Sequence, residues 1–284
     1  MKLTIKAYAK LNLSLDIKEK LPNGYHIIET VFQSISLHDI VKIESGKSQN
    51  EIFCSEGNIP MNDNICYKAL VSFFEKTKIK DHCKIEIEKN IPLAAGLAGG
   101  SADAAAVLRG LNYIYGHPLE EQELLDIGAS LGADVPFCME GGTMKADGIG
   151  EKLSPLPSLT DCDIVIIKAG EKPSTGELYK RMDSLTGYPR PDVDSLIRAL
   201  NERDLNKTCA SVRNVFEEAW KDDIKEQKRM LIGFGAFCAE LSGSGSSVFG
   251  IFKKGDGRKP QELLTDAFDE VYLCNPKDKG YEFV

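Results

Sequence analysis

Leu11, Leu13, Leu15 and Ile17 alternate with Asn12, Ser14 and Asp16, the period-two spacing of a strand with one buried face. A turn at Pro22-Asn23-Gly24 ends it. Strand signals recur over 30–37 and 41–44, and Ile85 and Ile87 alternate with Lys84, Glu86 and Glu88. The opening is therefore β-rich. Ile65, Ala69, Leu70 and Phe73 then fall on one face of a helix predicted over 64–76, with Asp63 or Asn62 available as its N-cap.

After Gly99-Gly100, the run SADAAAVLRGLNYIYG reads as a helix capped by Ser101 or Asp103 and stopped at Gly116 and Pro118. Another helix is expected over 119–131. The stretch 140–158 is rich in Gly and Pro and gives way to an apolar strand over 163–168, which puts a boundary near 155–162. Two lobes result, 1–157 and 158–284. The second has helical patterns over 175–185, 192–201 and 204–232, then two short strand signals flanking a glycine-serine turn over 241–247.

The 284 residues are 42% hydrophobic, enough for a substantial core. With 43 acidic against 35 basic residues and well-mixed signs, the net charge of −8 argues against a nucleic-acid or anionic-membrane surface as main partner. A small soluble ligand fits better. No stretch approaches the roughly 20 apolar residues of a spanning helix, and no signal peptide is apparent, so a cytoplasmic location is expected. The eight cysteines lack CxxC or zinc spacing and read as reduced thiols, mostly buried.

The most informative run is Pro92-Leu93-Ala94-Ala95-Gly96-Leu97-Ala98-Gly99-Gly100-Ser101-Ala102, which follows a strand and opens a helix. Glycine lets backbone N–H groups turn inward with no Cβ in the way, and a helix N-terminus adds unpaired N–H groups and partial positive charge. The run suits a phosphate cradle, and its spacing alone also suits an ordinary tight turn. There is no GxxxxGK[ST], no GxGxxG between strand and helix, and no HRD or DFG pair.

The segment 92–106 resembles the central motif of the galactokinase, homoserine kinase, mevalonate kinase and phosphomevalonate kinase superfamily, which uses this loop for ATP phosphates. Ala9-Lys10-Leu11-Asn12-Leu13, Gly24-Tyr25-His26 and Leu131-Gly132-Ala133-Asp134-Val135-Pro136-Phe137 narrow the resemblance to the 4-diphosphocytidyl-2-C-methyl-D-erythritol kinase family. Leu241-Ser242-Gly243-Ser244-Gly245 resembles its late glycine-rich motif. The resemblance implies an α+β, two-lobe small-molecule kinase with ATP and Mg2+ as cofactors and a substrate carrying a cytidine diphosphate moiety. It also implies transfer of a phosphoryl group to that substrate's 2-hydroxyl, in non-mevalonate isoprenoid precursor synthesis.

The same resemblance assigns Lys10 and Asp134 to catalysis and residues 92–102 to the ATP phosphates, with no protein ligand assigned to the metal. Without it, a strand Lys suits a solvated face and Asp134 a turn or N-cap. Substrate contacts are implied for Asn12, Tyr25, His26, Thr175, Tyr179 and Gly243, with Tyr25 and His26 meeting the cytosine and Tyr179 closing over the cytidine. Tyr179 alone also reads as a helix residue packed on its own lobe. One departure stands out: the family loop commonly reads GLGGGSSDAA, whereas this chain has Ala98 and Ala102. Ala98 is tolerable at negative φ, and Ala102 lacks a hydroxyl that Ser101 can replace. Alternative readings are a superfamily kinase for another hydroxylated metabolite, against which Gly24-Tyr25-His26 counts, and a silent binding protein that kept the fold.

Overall fold

The structure, a computed structural model, describes residues 1–57, 59–159, 161–168, 170–220 and 224–284. Two long antiparallel strands, β1 (Lys2–Lys20) and β2 (His26–Ser45), form its spine. Along the chain follow β3 (Glu51–Cys54), β4 (Cys83–Glu88), β5 (Thr143–Asp147), β6 (Lys152–Pro155) and β7 (Cys162–Lys168). The later strands are β8 (Arg213–Asn214), β9 (Cys238–Leu241), β10 (Ser247–Lys253), β11 (Val271–Cys274), β12 (Pro276–Lys277) and β13 (Tyr281–Phe283). Among the described residues they make a nine-stranded sheet of order β13-β1-β2-β4-β3, with β5, β8 and β12 paired onto its two long strands and β6 onto β5, and a four-stranded sheet of order β11-β7-β10-β9.

Helices α1 (Ile65–Thr77), α2 (Gly99–Ile114), α3 (Glu121–Leu131) and the short α4 (Val135–Glu140) belong with the first sheet. Ile5, Ala7, Ala9, Leu11 and Leu13 of β1 share one core with Leu70 and Phe73 of α1 and the alanines of α2. The run Ala104-Ala105-Ala106 lets α2 approach the sheet closely, and all three residues are fully buried. A second core gathers Val165, Trp220 and Leu241 around Leu15, Ile17 and Ile28, so the far ends of β1 and β2 are packed by the second half of the chain. That half adds α5 (Thr175–Asp183), α6 (Val193–Glu202), α7 (Leu205–Ala210), α8 (Glu217–Trp220), α9 (Lys225–Gly233) and α10 (Arg258–Leu264).

Several expectations need correction. The strands predicted over 30–37 and 41–44 are one, because pairing with β1 continues through His38, Asp39 and Ile40. The cap of α1 is Asn64, whose side chain accepts from the Cys66 N–H at 2.9 Å, while 61–63 form a 3-10 turn before it. Helix α2 starts at Gly99 with Ala98 at its N-cap position, so Ser101 and Asp103 lie inside the helix. The predicted helix over 204–232 is broken into α7, α8 and α9, since Asn214 pairs with β1 and its amide holds the Leu241 and Gly243 carbonyls. Residues 221–223 of that stretch, and residue 160 of the predicted boundary, lie outside the described residues.

The polar face of β1 is not solvated. Lys10, Asn12, Ser14 and Asp16 are as buried as their apolar neighbours. Arg190, 2.8 Å from Asp16, helps cover this face from the second half of the chain, and β8 pairs beside it. Register shifts between Tyr8 and Lys10 and between Asn12 and Ser14 bracket Lys10 and Asn12. Such irregularities re-aim side chains within a ladder.

Candidate active site

Lys10 is 4% exposed, and its ammonium is held on three sides. It donates to Asn12 Oδ1 at 2.6 Å, lies 3.6 Å from Asp134 Oδ2 and stands 5.0 Å from the centre of the Phe32 ring. Asn12 is fixed in turn by donating to Thr30 Oγ1 at 2.7 Å. A lysine buried in this way is oriented rather than solvated. Asp134 occupies the N-cap position of α4, yet its side chain makes no capping bond and is free to face Lys10. The capping role that the residue type suggests is therefore not the one it has.

Both residues line a cavity of about 650 Å3 between the two halves of the chain. Asn12, Tyr25, His26, Thr175, Tyr179 and Gly243 line it as well, so all the candidate substrate residues converge on one space. His26 is buried and stacks on Tyr179, with ring centres 4.3 Å apart and planes 14° from parallel. Its Nε2 donates to Asp183 Oδ1 at 2.7 Å, and Lys20 holds the other carboxylate oxygen. The hydrogen bonds from Lys20 and His26 hold the Asp183 carboxyl below its ordinary range, with Lys20 the larger influence. Tyr179 meets Phe216 edge-on at 4.9 Å, whereas Tyr25 sits at the rim, 60% exposed. A flat ring entering here would find an aromatic wall already built. Thr175 Oγ1 lies 3.3 Å from Ser244 Oγ at the cavity edge.

The glycine-rich loop forms the neighbouring wall. A second cavity of about 220 Å3 is lined by Pro92-Leu93-Ala94-Ala95-Gly96-Leu97-Ala98-Gly99-Gly100, and the two cavities meet at Gly96 and Ala98. Pro92, Ala95 and Leu97 are buried anchors, while Leu93 and Ala94 are exposed. The loop is tied down by backbone bonds: Lys10 N–H donates to the Leu97 carbonyl at 3.1 Å, and Ser247 N–H to that of Ala95 at 3.0 Å. Ser101 faces the larger cavity. Ala102 is 1% exposed and packs in the first core, so its methyl is a core atom lining neither cavity.

Ala98 does not meet the condition that made it tolerable. Its φ is +57°, left-handed, and Ala94 has φ +54°. A left-handed alanine costs about 1–2 kcal/mol relative to the ordinary helix region, and here it stands at the N-cap position of α2.

Behind the loop lies a cluster that sequence reading missed. Lys89 is buried between Asp39, which it contacts directly, and Asp103, 2.7 Å from its ammonium. Asp39 also accepts from the N–H groups of Asn90 and Ile91, at 2.5 and 2.8 Å. One ammonium faces two carboxyls, and burial pushes the Asp103 carboxyl well above its ordinary range despite Lys89. The cluster thereby clamps the start of the loop to β2 and α2. The signal in the sequence was the polar pair Lys89-Asn90 just before the loop.

Comparison with known proteins fits this geometry. Residues 64–142 match the family described as GHMP kinases N terminal domain. The 4-diphosphocytidyl-2-C-methyl-D-erythritol kinase of Clostridium tetani is 40% identical over 95% of this chain and 98% of its own length, and that of Clostridioides difficile 41% identical over 98% and 96%. A crystal structure of 4-(cytidine 5'-diphospho)-2C-methyl-D-erythritol kinase superposes with a TM-score of 0.82 at 30% identity, covering 97% of this chain and 99% of the other. The homoserine kinase of Cytophaga hutchinsonii, at 18% identity and a TM-score of 0.78 over 100% of this chain and 97% of its own, shares the fold. With a buried lysine facing an aspartate beside a glycine-rich loop, and relatives 40% identical along 95% of its length, the chain belongs to the 4-diphosphocytidyl-2-C-methyl-D-erythritol kinase family.

Proposed function

We propose that the protein transfers the γ-phosphoryl group of ATP to the 2-hydroxyl of 4-diphosphocytidyl-2-C-methyl-D-erythritol. The observation that carries this reading is the Lys10–Asp134 pair, 3.6 Å apart, in a cavity bounded by the glycine-rich loop on one side and the His26–Tyr179 stack on the other. Asp134 takes or orients the hydroxyl proton. Lys10 holds Asp134 and the acceptor oxygen, and the amides of 96–101 meet the charge on the transferring group. The acceptor attacks directly, so no covalent enzyme intermediate is involved.

Tyr179 and His26 are the cytosine's wall in this reading, with Tyr25 at the rim and Thr175, Asn12 and Gly243 on the substrate's path. The division of labour is by lobe: residues 1–157 carry the ATP loop, and residues 158–284 complete the substrate pocket. Its support is that the loop lies in the first stretch, and Thr175, Tyr179 and Gly243 in the second. Mg2+ would bind together with ATP. No group of three or more His, Cys, Asp or Glu placed to hold a metal occurs among the described residues, while Ser101 and Asp134 offer oxygens in the cavity beside the loop. That donor set suits a cation carried mainly by phosphate oxygens and water, whose bound charge neutralises the phosphates.

A coupled ADP-release assay with Mg-ATP, offering the cytidyl substrate, mevalonate, homoserine or no acceptor, tests the reading. ADP release with the cytidyl substrate alone is expected. Release with another acceptor keeps the kinase and replaces its substrate, and release with none of them returns the chain to a binding role.

A further inference from the structure

The two cavities share three lining residues, Gly96, Ala98 and Lys172, and only the last carries a functional side chain. Lys172 precedes α5, and its ammonium donates to Thr175 Oγ1 at 3.1 Å. No carboxylate pairs with it among the described residues, unlike Lys10 and Lys89, which have Asp134 or Asp39 and Asp103. It is a half-buried cation with spare donors, set where the loop's cavity opens into the acceptor's. An anion held there would satisfy those donors.

We propose that Lys172 contacts the terminal phosphoryl group of the nucleoside triphosphate and carries part of its charge during transfer. In that step the bond from the γ-phosphorus to the β,γ-bridging oxygen breaks as the bond to the acceptor oxygen forms. The hydroxyl proton goes to Asp134, and Lys172 itself gains and loses nothing. The proposal rests on the kinase reading above. The groups around Lys172 come from several elements: Lys10 on β1, Asp134 at the head of α4, Tyr179 on α5, and Lys89 beyond β4, already matched by two carboxyls. Burial, and then the like charge of Lys10, bring the Lys172 ammonium down to about 8. An arriving phosphate opposes both effects and returns the proton.

The test compares wild type, Lys172→Met and Lys172→Arg. Calorimetric titration with ADP and a non-hydrolysable ATP analogue, in buffers of different ionisation heat at pH 8, reads affinity and proton uptake together. Lys172→Met is expected to bind the triphosphate about tenfold more weakly, with ADP changed by less than about twofold, and to lose the proton uptake that wild type shows. In turnover, wild-type kcat/KM for ATP should fall above about pH 8, and Lys172→Arg should keep activity and lose that alkaline limb, since guanidinium stays charged. Equal weakening of ADP and triphosphate, or unchanged triphosphate binding and an unchanged alkaline limb in the Met variant, overturns the assignment. Either can occur with the cytidyl substrate still phosphorylated, so failure here is distinct from failure of the kinase reading, which wild type alone decides. Thermal unfolding of Lys172→Met within the wild-type range separates loss of contact from loss of fold.

Discussion

A β-carbon on Gly96 would stand 2.2 Å from the carbonyl oxygen of Ser242. The glycine has φ +78°, and its own carbonyl accepts from Ser242 Oγ at 3.1 Å. Across the contact, a β-carbon on Gly243 would come within 2.9 Å of the Gly96 oxygen. The glycine-rich loop and the late glycine-serine turn therefore touch backbone to backbone, and the position of one depends on the other. Gly96→Ala adds left-handed strain and a clash with main chain that cannot swing away. We expect it to lose at least about 3 kcal/mol in urea unfolding, together with nucleotide affinity. A loss below about 1 kcal/mol would show that the loop does not rest on this turn.

Ala98 gives the opposite expectation. At φ +57° and ψ +31° it holds a conformation that glycine adopts freely. Ala98→Gly removes the left-handed cost and adds the larger unfolded-state freedom of glycine, leaving a net gain of about 0.5–1 kcal/mol. The readout is a higher urea midpoint at unchanged slope. A lower midpoint would mean that the methyl's packing against the first core outweighs the strain.

Asp134→Asn should keep the fold and lose turnover by roughly 10²–10⁴-fold, because the amide cannot take the hydroxyl proton. Single-turnover kinetics separates this from product release. Near-normal turnover would remove Asp134 from the reaction and leave Lys10 as a purely electrostatic element.

The parts of the site legible in the sequence were those set by local chain chemistry. The run at 92–102 announces itself by its glycines and following alanines, whereas Lys10, Asn12, Tyr25 and His26 stood out through the family resemblance of the short segments that hold them. What stayed hidden depends on distant chain meeting distant chain. Asp183 reads as the polar end of a helix until α5 brings it within 2.7 Å of His26, 157 residues earlier. Asp39 falls between the strands expected over 30–37 and 41–44 and Lys89 just past a strand, so neither position announces its burial, and the burial of β1's polar face depends on elements 170 or more residues away, such as Arg190 against Ile17. The alternation in β1 was read correctly as a strand and wrongly as half-exposed, since period two reports which residues share a face but not what covers it. The break of the 204–232 helix was equally invisible, because Asn214 is called away by β1 rather than by a local breaker.

The Lys89 cluster leads to a stability prediction. Lys89→Met would leave two buried carboxyls without their ammonium, and breaking a buried pair in this way costs about 3–5 kcal/mol. The deficit should be larger at pH 7 than at pH 4. Without Lys89 the Asp103 carboxyl, already raised by burial, resists ionisation further in the fold, while in the unfolded chain it ionises freely above about pH 4, so rising pH favours unfolding. Chemical unfolding of both proteins at the two pH values reads this directly, and a pH-independent deficit would show that packing, not charge, accounts for the loss.

Asp183 does not line the cavity and reaches it only through His26, which makes it a positioning residue. Asp183→Asn leaves the ring stacked on Tyr179 but weakens the bond that fixes its plane, so the cytidyl substrate's KM should rise about tenfold while kcat changes less than about twofold. The pH sign follows from the two hydrogen-bond partners, Lys20 first, that lower the Asp183 carboxyl. The carboxylate's contribution is complete above the unfolded value of about 3.9 and is lost only as pH falls through the lowered folded value. The KM ratio between variant and wild type should therefore be flat from pH 6 to pH 9, a range in which Lys172 titrates and Asp183 does not. A ratio that changes across this range would show that a group other than Asp183 sets it, and a fall in kcat equal to the rise in KM would move Asp183 from positioning the His26–Tyr179 wall to organising the transfer.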